Sequence, residues 1–273
     1  MLYLHRGEEV PLTHEPIASV ASGFLSQVER FYAGLISTAD LGSSQDAEPS
    51  LGGKLLYVGE LDAEARALLV AANIAGVASL AVSANPTARK QALRDGVVDF
   101  LVTSLDEALR ILKNELRKRQ AVAVCVAAAP SVPEAEFARN LLLRGVQPDL
   151  VRPIEQSRPR ANQLLLAWRV ASAAAIWLPK LDALAFDCLD KISGTPALDF
   201  ETWVYRRWLR LAPRYLGRLA EETRLLRCDA VFAARFRHQV KEQVEEGVID
   251  VPVEFMLNRE GQHELYLFTP PVN

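Results

Sequence analysis

From residue 54 to residue 151, short apolar runs alternate with stretches whose apolar residues recur every three or four positions. The runs are Leu55-Leu-Tyr-Val58, Ala78 to Val82, Asp99-Phe-Leu-Val102, Val122-Ala-Val-Cys-Val126 and Asp149-Leu-Val151. Each has the length of a strand, and Val122 to Val126 has the continuous β-rich texture of one covered on both faces. The intervening spacing predicts helices from an Asp62 cap through Ala75, from Pro86 to near Gly96, from Leu105 to Arg119, and from Glu134 to Arg144, where Gly145 stops the turn. Ser104 followed by Glu107 has the form of a capping box, and Leu105, Ala108, Leu109, Leu112 and Leu116 form one apolar stripe behind it. Arg117, Lys118 and Arg119 fall in the last turn, at the negative end of the helix dipole. Strand and helix in strict alternation imply right-handed βαβ crossovers and an α/β, doubly wound parallel sheet.

The flanking regions have a different texture. Ile17, Val20, Phe24, Val28, Phe31 and Leu35 share one side of a helix predicted over Pro16 to Ala39, and residues 40–53 are a polar, turn-rich linker. Beyond Pro159 the helical period dominates, predicting helices over 161–192 (broken near Pro179), 199–225 and 229–246. The chain then closes on a β-hairpin: Val251 to Leu257, a four-residue turn Asn258-Arg-Glu-Gly261, and His263 to Phe268. Pro252 would place the first of these strands at a sheet edge. The expected organisation is a helical arm and linker (1–50), an α/β domain (51–155), and an added C-terminal helical region with its β-hairpin (156–273).

Composition narrows the function classes. A net charge of −3 over 273 residues exerts no overall pull on nucleic acid or acidic membranes. The N-terminus lacks an apolar run, and Leu164 to Leu178 carries Arg169 and meets Pro179, so neither a leader nor a membrane span is expected. Cys125, Cys188 and Cys228 are few, odd in number and far apart, which suits reduced, buried thiols and a cytoplasmic location. His5, His14, His238 and His263 lack metal-pair spacing, and no GxSxG, P-loop or HExxH sequence is present, so no metal and no catalytic residue is assigned.

Several segments nevertheless occur in a familiar order: Gly52-Gly-Lys-Leu-Leu-Tyr-Val-Gly59, Ala75-Gly-Val-Ala-Ser-Leu-Ala-Val82, Asp95-Gly-Val-Val-Asp99, Leu105-Asp-Glu-Ala-Leu109 and Leu143-Arg-Gly-Val-Gln-Pro-Asp-Leu-Val151. Over Leu51 to Val151 the chain resembles the Rossmann-like nucleotide-binding domain of urocanase (urocanate hydratase), a lyase that uses tightly bound NAD as an electrophile. The resemblance implies an NAD site, but its motif is altered. The family's glycine-rich turn, of the type GLGGMGGAQ, is here Gly59-Glu-Leu-Asp-Ala-Glu-Ala-Arg-Ala67, which puts Glu60, Asp62 and Glu64 where a diphosphate would sit. Ser83 stands in place of the acidic residue that would hold ribose hydroxyls, Ala128-Ala129 in place of a Gly-Asn pair, and Arg152-Pro-Ile-Glu-Gln-Ser in place of the family's DQTSAHD. Residues 1–50 and 156–273 show no match to the family's catalytic core.

The reading that follows is a urocanase-related protein without NAD or catalysis, acting as a ligand- or protein-binding scaffold. The alternative is a divergent urocanase-like lyase or nucleotide-binding enzyme using a crevice at Gly59, Glu60, Ser83 and Ala127. Asp62, Glu64, Asp106 and Glu107 are explained as first-turn charges that favour the helix dipole. Arg206, Arg210, Arg214 and Arg218 recur every four residues as a slowly winding ridge opposite Val204, Trp208, Leu211, Tyr215 and Leu219. The ridge is read as a solvated face paired with Glu201, Glu221 and Glu222, with an anion or acidic partner as second reading and nucleic acid the weakest. Trp168, Trp177, Trp203, Trp208 and Tyr215 exceed what a small helical region needs, from which a homodimer is expected.

Overall fold

The structure, a computed structural model, describes residues 23–38, 51–129, 134–154, 163–192, 200–259 and 262–271. The chain divides into two compact units, Val28–Ser157 and Met1–Gln27 with Arg158–Asn273.

In the first unit, β1 (Leu55–Glu60), β2 (Ala78–Ser83), β3 (Phe100–Val102), β4 (Val122–Ala127) and β5 (Leu150–Val151) form a parallel sheet in the order β3-β4-β2-β1-β5. Helices α2 (Ala63–Ala75), α3 (Pro86–Arg94), α4 (Leu105–Lys118) and α5 (Glu134–Leu143) connect them as the spacing predicts. The first two crossovers advance toward the β3 edge and the last two return, so right-handedness puts α2 and α3 on one face and α4 and α5 on the other. Leu55, Tyr57, Leu80, Val82, Val124 and Val126 pack with Ala108, Leu109, Leu112, Phe137 and Leu141 on the α4/α5 face. The oppositely directed Leu56, Val58, Ala81, Ala123 and Cys125 are buried too, so the sheet is covered on both sides. Ser104 Oγ accepts from the Glu107 N–H at 3.2 Å. Such a cap contributes about 1 kcal/mol, whereas each buried Leu of the stripe contributes roughly 1.5–3 kcal/mol, so packing dominates over capping.

Helix α1 (Phe24–Ser37) buries Val28, Phe31 and Leu35. Its expected start at Pro16, and residues 40–50 of the linker, lie outside the described residues.

The second unit differs from the sequence expectation. Its sheet has four antiparallel strands in the order β7-β6-β8-β9: β6 (Gln163–Val170), β7 (Thr223–Asp229), β8 (Val253–Arg259) and β9 (Gln262–Phe268). Two of these, β6 and β7, fall where helix was expected. Leu164 to Trp168 is buried at every position, with β6 covered on both faces as well as paired on both edges, and such a run carries no period that separates strand from helix. Helix α7 (Phe200–Leu216) ends at Gly217, whose φ of 52° is left-handed, so the expected helix to 225 stops early and β7 begins after a short 3₁₀ turn. Helix α6 (Ala174–Ile192) continues through Pro179 instead of breaking there, and α8 (Ala230–Glu245) is capped by Asp229, which accepts from the Phe232 N–H at 2.8 Å.

The C-terminal hairpin is present with two corrections. Its ladder extends to Arg259 and Gln262, nearer the tip than a four-residue loop allows, while residues 260–261 lie outside the described residues. Strand β8 is internal, not an edge; Pro252 is accommodated because it precedes the first paired residue, and its carbonyl accepts from the Ala171 N–H. Among the described residues no helix is long and apolar enough to cross a membrane.

Two aspartates clamp the short edge strands of the parallel sheet. The Asp99 N–H donates to Ala123 O at 2.8 Å, and its carboxylate accepts from the Ala123 N–H at 2.7 Å. Asp149 repeats the arrangement on Leu55, with both bonds at 2.9 Å. Replacing either by Ala strands a buried amide, so Asp99→Ala and Asp149→Ala should each cost about 1–3 kcal/mol in urea unfolding. Unchanged midpoints would show that the clamps contribute nothing.

Candidate functional site

Neighbouring strands β2 and β4 send their following helices to opposite faces, so the sheet's connections diverge between Ser83 and Ala127, which pair in register. In doubly wound sheets a crevice forms at this carboxyl edge. Gly59 and Glu60 end the adjacent strand β1, so the structure brings all four expected crevice residues onto one sheet edge.

Gly59 has a φ of 78° and lies at a register shift, where Tyr57 pairs with Leu80 but Gly59 with Ala81. Its left-handed backbone serves a β-bulge within the strand. The bulge precedes Glu60, whose Oε1 accepts from Ser83 Oγ at 2.7 Å. Ser83 Oγ also accepts from the Asn85 N–H at 3.2 Å, so one hydroxyl serves as donor and acceptor between two strand ends.

Two cations not anticipated from the sequence complete the edge. Arg89, on α3, donates to Ser83 O at 2.6 Å. Arg152, directly after β5, donates to Asp62 Oδ2 at 2.8 Å, has Glu64 Oε2 at 3.4 Å, and reaches Glu60 O at 3.4 Å. Asp62 caps α2, its Oδ1 accepting from the Ala65 N–H at 2.7 Å. The capping role expected of Asp62 is therefore present, with an ion pair added. The sequence signal for Arg152 was its place directly after a strand of this sheet; Arg89 had none.

Electrostatics follow from these contacts. Burial alone would raise the Asp62 carboxyl, but the Arg152 hydrogen bond and charge, with the Ala65 and Glu64 amides, hold it below its ordinary range. Arg152 is shifted up in turn: burial opposes its charge, and Asp62 and Glu64 outweigh that cost. Cys125, one strand away, is pushed up to about 12 by burial, so its thiol stays protonated and unreactive. Cys188 and Cys228 are also buried and free.

The other expected features are scattered. Arg206 pairs with Asp190 of α6; Arg210 is exposed; Arg214 lies 5.5 Å from the Tyr215 ring; and the side chains of Arg218 and Glu201 lie outside the described set. Trp168, Trp177, Trp203 and Trp208 are buried within the chain, and Tyr215 is half-buried. His5 and His14 fall outside the described residues, among which no cluster of three metal-ligating side chains occurs.

The Asp62–Arg152 pair has a testable pH signature. A carboxyl held below its ordinary range when folded contributes stability that is complete above the unfolded value and lost as pH falls through the folded one. Arg152→Gln should raise the Asp62 midpoint, read by carboxyl NMR, and weaken that acid-side dependence, leaving the part that the Ala65 and Glu64 amides supply. An unmoved midpoint would exclude Arg152 as the counter-ion.

The family model described as the urocanase Rossmann-like domain matches residues 34–154, the segment that carries the parallel sheet and this carboxyl edge. The α/β unit therefore carries a urocanase Rossmann-like domain, and the match stops at residue 154.

Proposed function

We propose that this protein is a urocanase-related scaffold that works by binding a ligand or protein partner, without NAD and without the hydration of urocanate. The observation that carries the reading is the state of the α2 N-terminus. In dinucleotide sites the first amides of this helix face a pyrophosphate. Here the Ala65 amide is taken by the Asp62 carboxylate of the chain itself, and Arg152 is taken by Asp62 and Glu64.

Charge supports the same reading. Glu60, Asp62 and Glu64 outnumber Arg89 and Arg152, so a diphosphate would meet net negative charge. Two like unit charges about 4 Å apart repel by roughly 1 kcal/mol in water and more in a partly buried crevice. Ser83, in place of a ribose-holding carboxylate, is engaged by Glu60 and Asn85. The residues present do not fit NAD. The alternative of a divergent lyase or nucleotide-binding enzyme draws no support from these contacts.

Titration of the full chain with NAD in a calorimeter, alongside the fall in urocanate absorbance, tests the proposal. Binding is expected to be at least about a hundredfold weaker than at a micromolar site, with no loss of urocanate. Micromolar affinity, or NAD co-purifying with the protein, would sink it.

A further inference from the structure

The second unit holds a cleft of its own. The geometry points to a binding site for a small organic monocarboxylate between α8 and the β8–β9 hairpin. The cleft measures about 240 Å³ and is floored by Leu164 and Leu257, with Ala230 and Ala234 as its helical wall. Two alanines on the facing turns of α8 leave the space that larger residues would fill. Arg237, Arg259 and Tyr266 supply the polar side.

Arg237 is held differently from the second unit's ion-paired arginines. Arg169 and Arg224 are fixed by Glu254 and Asp182. The Arg237 guanidinium instead lies 3.9 Å from the centroid of the Tyr266 ring. Stacking on an aromatic face fixes the plane of the fork, Arg237 also hydrogen-bonds the Tyr266 hydroxyl, and the remaining donors of the guanidinium are available to a carboxylate. The Tyr266 hydroxyl donates to Glu264 at 2.5 Å, which engages the one acid of the cleft lining. Burial, and then this bond, raise the Tyr266 phenol above its ordinary range, so it remains a donor at neutral pH.

Charge and size select the ligand class. Two guanidinium groups against one carboxylate leave a single positive charge, which matches a monoanion better than a phosphate dianion. The cleft's 240 Å³ corresponds to about eight water volumes of ~30 Å³ each, room for a carboxylate with a short apolar body. That body would lie on Leu164 and Leu257.

Hexanoate and inorganic phosphate, each titrated into the full chain and followed by ligand-observed NMR and calorimetry, provide the test. Hexanoate should bind more tightly than phosphate. Arg237→Gln and Arg259→Gln should each weaken it by about tenfold or more, the scale of one charge-assisted hydrogen bond. Ala234→Phe, at an exposed position of α8, should block the cleft while leaving the circular dichroism and melting of the protein intact. Absence of hexanoate binding to the wild type, binding indifferent to all three substitutions, or phosphate binding as tightly as hexanoate would each overturn the assignment.

Discussion

Each sheet of this protein depends on one strand that has no side open to water. β2 is buried at all six positions and β6 at most of its eight, so their backbone amides and carbonyls must be satisfied by neighbours on both edges. That requirement brings β1 and β4 against β2, and β7 and β8 against β6. The rest follows by covering faces: α2 and α3 against α4 and α5 in one unit, and α8 with its Phe232 and Phe236 over Trp168 and Phe255 in the other. Short outer strands need extra fastening, which Asp99 and Asp149 provide by imitating a ladder step with a side chain.

The same principle of internal satisfaction governs the carboxyl edge of the parallel sheet. A nucleotide site leaves amides and cations waiting for phosphate oxygens. Here the corresponding groups are joined to one another: Asp62 to the α2 amides, Arg152 to two carboxylates, and Ser83 between Glu60 and Asn85. Such an edge gains structural definition from the contacts that a cofactor would otherwise supply. The hairpin cleft of the second unit stands in contrast, with a guanidinium oriented by a ring instead of neutralised by an acid.

How much of this was legible in the sequence depended on whether the signal was local. Asp62 and Ser104 announced their helices because a cap is written within three residues. The five parallel strands could be read from apolar runs separated by periodic helices. Strand β6 could not, because Gln163 to Val170 is rich in Leu and lacks alternation, and only pairing on both sides makes it a strand. Strand β7 is hidden in the sequence by the apparent continuation of α7, in which Gly217 is a local stop signal. At the site, Gly59, Glu60, Ser83 and Ala127 come together from the urocanase resemblance and the alternation of strands and helices. Arg152 has no local signal because its partner is set by crossovers, with 90 residues separating it from Asp62, whereas Arg89 reaches Ser83 O across the β2–α3 turn without any motif to mark it.

The Ser83–Glu60 bond also ties two positions together in inheritance. An acidic side chain at 83 would set its carboxylate within hydrogen-bonding range of Glu60, with no proton to share at neutral pH, while Asn85 would lose the hydroxyl its amide now uses. An apolar side chain at 60 would leave Ser83 without its acceptor. Neither residue can drift alone without a cost that the other must relieve. Sequences descending from this one should therefore change the two sites as a pair or hold both.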